Sequence, residues 1–150
     1  MDDQLFKKIL FDYTRNIGEN ANAFFQGIGT RYNLTMMQIR ILMELYHNNT
    51  HTMGSLASRL QIAGANISTT CKKMEQRGFV KRTRDSSDER IVRIELTEKG
   101  NLLMEEINEM IDRVIMNALA RESVESQKII VEGLLKFNAL LERIVEEQKK

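Results

Sequence analysis

No proline interrupts this chain of 150 residues. Proline costs about 3 kcal/mol inside a helix, against about 1 or less for other residues, so nothing here forces a helix to stop. Apolar residues then recur at steps of four and three from Leu5 through Ile9, Tyr13, Ile17, Ala21 and Phe24 to Ile28. That spacing lays one stripe along a long first helix. Thr35-Met-Met-Gln38 is a capping-box pattern that opens a second helix, with Ile39, Leu42, Leu45 and Tyr46 facing inward. His47 to His51 is a polar break.

A short helix follows from Met53 to Leu60, with Thr52 at its N-cap and Leu56, Ala57 and Leu60 buried. Gln61 to Gly64 reads as a turn, and Gly64 or Ala65 begins the next helix, which ends at Arg77-Gly78. Phe79 to Thr83 and Ile91 to Leu96 are rich in alternating and β-branched residues, so they are predicted strands. The polar run Arg84 to Arg90 joins them as a hairpin. Thr97-Glu-Lys-Gly100 caps a long helix with Leu103, Ile107, Met110, Ile111, Val114, Ile115 and Ala118 on one face. Ser123 or Ser126 caps a last helix carrying Ile130, Leu134, Phe137, Leu141 and Ile144. The expected fold is mostly α with a small β-hairpin. A lobe at residues 35–97 lies between helical segments 1–34 and 98–150, the whole forming a single compact domain.

Composition narrows the class. With 42% hydrophobic and 29% charged residues, the chain can bury a core and is not of the disordered type. No stretch approaches the ~20 apolar residues of a membrane span, and the acidic, amphipathic N-terminus does not look like a signal peptide. Cys71 is the one cysteine, which excludes an internal disulfide and a cysteine-rich zinc site. The expected location is the cytoplasm, at the nucleoid. The net charge of +1 hides an asymmetry. From Arg59 to Arg93 there are nine basic and four acidic side chains, a surplus of five, so the rest of the chain is net acidic. One segment is thus marked to face a polyanion.

Two helices joined by a short turn, the second exposing small and cationic side chains, suit the major groove of DNA. On that second helix Ile67, Cys71 and Met74 form the inner face, and Ala65, Asn66, Ser68, Thr69, Lys72 and Lys73 form the outer one. Asn66 is suited to adenine, Ser68 and Thr69 to bases or phosphates, and Lys72 and Lys73 to phosphates. Arg77 closes the helix and is expected to contact DNA with them. Arg82, Arg84 and Arg90 lie along the hairpin, where an arginine can enter a narrow minor groove, and Asp88 is placed to steady Arg90.

The runs Leu56 to Leu60, Ile67 to Cys71 and Glu75 to Val80 resemble the helix-turn-helix of the MarR family of regulators. Asp88-Glu-Arg90, Val92 and Ile94 to Gly100 are similar to that family's wing signature and the start of its next helix. Leu34, Thr35, Gln38, Leu42 and Leu45 match upstream. The resemblance implies a winged helix-turn-helix with long terminal dimerisation helices, a homodimer, and an inverted-repeat operator on double-stranded DNA. It implies a repressor, and for many members release by a small-molecule ligand or by oxidation. The family's paired wing aspartate and arginine carry over onto Asp88 and Arg90. Its ligand pocket would involve Phe24, Phe25, Ile28, Met36, Met37 and Met43, although nothing in these residues selects a ligand class.

Other functions find less support. There is no glycine-rich phosphate loop, HExxH or GxSxG, and Glu105, Glu106 and Glu109 sit at solvated helix positions, so catalysis and a cofactor are not expected. His47 and His51 flank a helix-breaking segment, so no metal site is expected either. Cys71, on the inner face of its helix, reads as a small buried hydrophobe and not as a redox switch. The competing reading is a winged helix that binds protein without DNA specificity, which would not require the basic surplus.

Overall fold

The computed structural model describes residues 2–88 and 90–149. Six helices and three strands follow in the order α1 (Asp3–Tyr32), α2 (Met36–Asn48), β1 (His51–Thr52), α3 (Met53–Leu60), α4 (Gly64–Gln76), β2 (Val80–Arg84), β3 (Val92–Leu96), α5 (Glu98–Leu119) and α6 (Val124–Glu147). The chain divides into two units, residues 1–107 and 108–150. No helix among the described residues is long and apolar enough to cross a membrane.

The caps explain the boundaries. Asn33 ends α1 in the left-handed conformation at φ 52°, returning its N–H to the Gly29 carbonyl. Thr35 accepts from the Gln38 N–H while the Gln38 side chain accepts from the Thr35 N–H, so the expected capping box opens α2. Thr52 caps α3 by accepting from Ser55. Gln61, at φ 55°, ends α3 with its own N–H and that of Ile62 both turned back toward Ala57. Of the two serines considered for α6, Ser123 is the cap.

The structure adds a strand to the expected hairpin. His51 and Thr52 pair antiparallel with Ile94 and Arg93, giving a three-stranded sheet in the order β1-β3-β2. The segment from His47 to His51 is therefore only partly a break: α2 runs on through Asn48 and the chain enters the sheet at His51. Two residues are too few to show an alternating pattern, and their pairing is with a strand forty residues away. Between β2 and β3 the register runs from Val80 opposite Leu96 to Arg84 opposite Val92.

The core of the first unit is one apolar cluster. Ile28 from α1, Ile39, Leu42 and Leu45 from α2, Leu56 from α3, Ile67 and Met74 from α4, Val80 and Ile94 from the sheet, and Met104 and Ile107 from α5 are all essentially inaccessible. The outer stripe of α1 is not. Leu5, Tyr13 and Ile17 are exposed, and only the C-terminal turns of that helix reach the core. Among the described residues of 108–149 none is fully buried, and Val114, Ile115, Ile130, Leu134 and Ile144 are exposed.

Gly100 closes the lobe. A Cβ there would stand 2.1 Å from the Phe79 carbonyl oxygen, a backbone atom that cannot step aside. Gly100→Ala is expected to cost about 1–3 kcal/mol through overpacking. Gly27→Ala, in a helix interior with nothing within 4 Å of the new Cβ, should be neutral or stabilising by up to about 1 kcal/mol. Urea unfolding of both variants measures the contrast.

Candidate nucleic-acid interface

Helix α4 presents the face expected of it. Ile67, Cys71 and Met74 are wholly buried, while Ala65, Asn66, Ser68, Thr69, Lys72 and Lys73 are exposed. The helix is preceded by Ala63, which makes no side-chain cap bond, so its first N–H groups are left for solvent or an acceptor. The hydroxyl of Thr69 donates to the Ala65 carbonyl at 3.1 Å, leaving only its lone pairs to meet a partner. Lys72 and Lys73 carry no ion pair among the described residues.

The wing is organised by its aspartates. Asp85 accepts from the Ser87 N–H at 2.9 Å and from the Ser87 hydroxyl, and from the Arg93 Nε at 2.6 Å. These bonds, those from Ser87 foremost, hold its carboxyl far below the usual carboxylate range. Asp88 accepts from the Arg90 backbone N–H at 3.0 Å, its Nε at 3.1 Å and an Nη at 3.2 Å. Hydrogen bonds from Arg90 likewise hold the Asp88 carboxyl low, so the pair is ionised at neutral pH. The Arg90 side chain remains 91% exposed. It is thus a solvent-facing cation whose guanidinium is held by two charge-assisted bonds to Asp88. Glu89, in the same signature, lies outside the described residues.

Two expected contact residues already hold partners within the chain. Arg82 turns onto Glu75 of α4, with its Nη2 at 2.7 Å and Nε at 2.9 Å from one carboxylate oxygen and its backbone N–H at 3.2 Å from the other. Its guanidinium joins the wing to α4. Arg77 donates to the Asn33 carbonyl at 2.8 Å and stacks over the Phe79 ring, 4.7 Å from its centroid. Alternation along a strand reports which side a residue faces, but not that a carboxylate one helix back will meet it. Arg84 remains exposed at the end of β2. Ser68, Arg90 and Ile91 share with Thr52, Gly54 and Arg82 a groove of about 390 Å³ between the helices and the wing.

A second, open cleft of about 630 Å³ lies between α1, α2 and the end of α3, walled by Ala21, Phe25, Met36, Met43 and Leu60, with Arg40 and Arg59 among its polar residues. Phe25, Met36 and Met43 therefore line a cleft. Phe24, Ile28 and Met37 are not among its walls: Ile28 is core, and Phe24 meets the edge of Phe25 at 5.5 Å. Sequence reasoning missed Arg40 and Arg59, because a charged residue beside an apolar stripe looks like ordinary solvation. Cys71 is fully buried, and burial pushes its thiol up to about 11, so it is protonated and a poor nucleophile at neutral pH. The two histidines sit on different elements. His51 Nδ1 is 3.2 Å from the Ser55 hydroxyl and its Nε2 lies 3.3 Å from Glu44 without hydrogen-bond geometry.

The Arg82 guanidinium on Glu75 holds that carboxyl below its ordinary value. A carboxyl whose pKa is lower in the folded state stabilises the fold above its unfolded value, about 4.3 for glutamate, and that contribution is lost as pH falls through the folded value. Glu75→Gln is therefore expected to lower stability at neutral pH and to draw level with the unmodified protein under acid. Urea unfolding across pH checks this; a constant difference at all pH values would remove the ion pair as the cause.

Comparison with known proteins agrees with this geometry. Residues 23–107 match the transcriptional regulator SarA/Rot family. The organic hydroperoxide resistance transcriptional regulator of Bacillus subtilis is 31% identical over 104 residues, 69% of either chain. A MarR family protein from Bacillus stearothermophilus superposes over 100% of this chain and 99% of its own, with a TM-score of 0.74 and 29% identity. Reduced AbfR bound to DNA covers 92% of this chain and 94% of its own at a TM-score of 0.64 and 25% identity. The chain belongs to the SarA/Rot transcriptional regulators, DNA-binding winged-helix proteins of the MarR type.

Proposed function

We propose that this regulator acts as a homodimeric repressor on an inverted-repeat operator, with α4 in the major groove and the wing in the minor groove. The observation that carries the reading is Arg90: a 91% exposed cation at the wing, fixed by an ionised aspartate, on the same lobe as the outward face of α4. A narrow minor groove concentrates negative potential and receives such a side chain. Asn66, Ser68 and Thr69, with Ala65 leaving room for close approach, meet base edges. Lys72, Lys73 and Arg84 supply the salt-dependent affinity for phosphates.

Dimerisation follows from exposed apolar surface. Monomeric proteins seldom leave long apolar stripes uncovered. Here Leu5, Ile9, Tyr13 and Ile17 on α1, Val114 and Ile115 on α5, and Ile130, Leu134 and Ile144 on α6 are all open to solvent. A second copy is the partner that gives two recognition helices about one helical turn, ~34 Å, apart and so reads an inverted repeat. An effector bound among Phe25, Met36 and Met43 would release DNA only by preferring the dimer that cannot bind it.

The test is a titration of the regulator's own upstream DNA at several salt concentrations. Binding should be sequence-selective and weaken steeply with salt. Arg90→Ala should make log K against log salt shallower by about one while leaving the fold intact. Sequence-indifferent binding would defeat the operator claim, and an unchanged Arg90→Ala would defeat the minor-groove contact. Sedimentation equilibrium should give twice the chain mass, and a monomer at micromolar concentration would remove the dimer.

A further inference from the structure

We infer that Arg77 is a positioning residue that fixes the C-terminal end of α4 to the corner between α1 and α2, and that it does not itself touch DNA. The inference rests on α4 being the helix that reads DNA. Arg77 is the C-cap of α4, at φ −81° and ψ −7°. From there its Nη1 reaches back across forty-four residues to the carbonyl of Asn33, the left-handed residue that ends α1, at 2.8 Å. The same nitrogen lies 3.5 Å from the Gln38 side-chain oxygen. That oxygen also accepts from the Thr35 N–H and belongs to the capping box that opens α2. Gln38 is buried, 7% exposed, so the guanidinium is drawn toward an acceptor that water barely reaches.

The other side of the junction is equally committed. The Arg77 guanidinium stacks 4.7 Å from the centroid of Phe79, which is 7% exposed, and Lys99 Nζ lies 5.0 Å from the same ring. Lys99 also donates to the Arg77 carbonyl at 2.9 Å. One residue thus gathers the end of α1, the start of α2, the end of α4 and the start of α5. A planar guanidinium can stack on a ring and donate in its own plane at once, which an ammonium cannot do. Turning Nη1 or the stacked face of the guanidinium toward a phosphate would break the Asn33 bond or the ring contact. Its effect on DNA binding is therefore through the angle at which α4 is held.

Salt dependence separates the two roles, because a lost phosphate contact changes the slope and a lost alignment changes only the level. The full chain is titrated on its operator fragment between about 50 and 300 mM salt. Arg77→Gln is expected to weaken binding roughly tenfold at every salt, along a line parallel to that of the unmodified protein. Phe79→Leu should shift the line in the same way, and the double variant should be no weaker than the weaker single, because both break one junction. A slope shallower by about one for Arg77→Gln, unchanged affinity, or additive losses would each overturn the inference. Where Arg77→Gln shows no cooperative melt, Arg77→Lys decides. A phosphate contact would keep full affinity with lysine and overturn the inference, whereas the junction predicts loss. Arg90→Ala on the same fragment reports on the groove contact separately, so that claim can fail while this one stands.

Discussion

The lobe depends on a backbone approach at the base of the wing. The Phe79 carbonyl accepts the Thr97 N–H at 3.1 Å, and the Thr97 hydroxyl donates to the Gly78 carbonyl at 2.6 Å before accepting from Gly100. Gly78, at φ 76°, makes the turn out of α4, and Gly100 leaves no Cβ in the way of Phe79. The wing therefore begins and ends at one seam. The exit of α4, both feet of the hairpin and the first turn of α5 share it, and the wing can be a short hairpin without coming loose because its ends are already joined.

From that seam the arginines divide into two kinds. Arg77 and Arg82 face inward and act as struts: one ties α4 to the α1–α2 corner, the other ties β2 to Glu75 of α4. Arg90 faces outward, with an aspartate of its own so that its direction is set before any partner arrives. Not every basic side chain of this segment is therefore free to meet a partner. Lys81, Arg82 and Arg93 pair with Glu95, Glu75 and Asp85, and Arg77 donates to the Asn33 carbonyl. Lys72, Lys73 and Arg84 carry no ion pair among the described residues and stay exposed, and Arg90 stays exposed with its aspartate.

Local rules made much of this readable in advance. Thr35 and Gln38 cap α2 because a hydroxyl and an amide three residues apart satisfy each other's backbone N–H groups, a relation complete within four residues. The inward set Ile67, Cys71 and Met74 follows from helical spacing alone, and it correctly makes Cys71 a packing residue. Asp88 and Arg90 are two residues apart, so their bond too is a local affair. Arg82 and Arg77 are different, since each sits on a segment that faces solvent in outline. Their partners, Glu75, Asn33 and Phe79, are set by how helices pack.

The sequence by itself determined the number of helices, their caps, the face that α4 turns outward and the braced arginine of the wing, since each depends on residues within a turn or two of one another. Tertiary structure alone decided the rest. It added His51 and Thr52 to the sheet through a pairing with β3, moved Ile28 from a cleft wall to the core, and placed Arg40 and Arg59 at the cleft instead. It also joined Arg77 to Asn33 and Phe79, and Arg82 to Glu75. The physical reason is that an arginine's donors go to the best acceptor within reach, and which acceptors are within reach is fixed only when distant segments have packed.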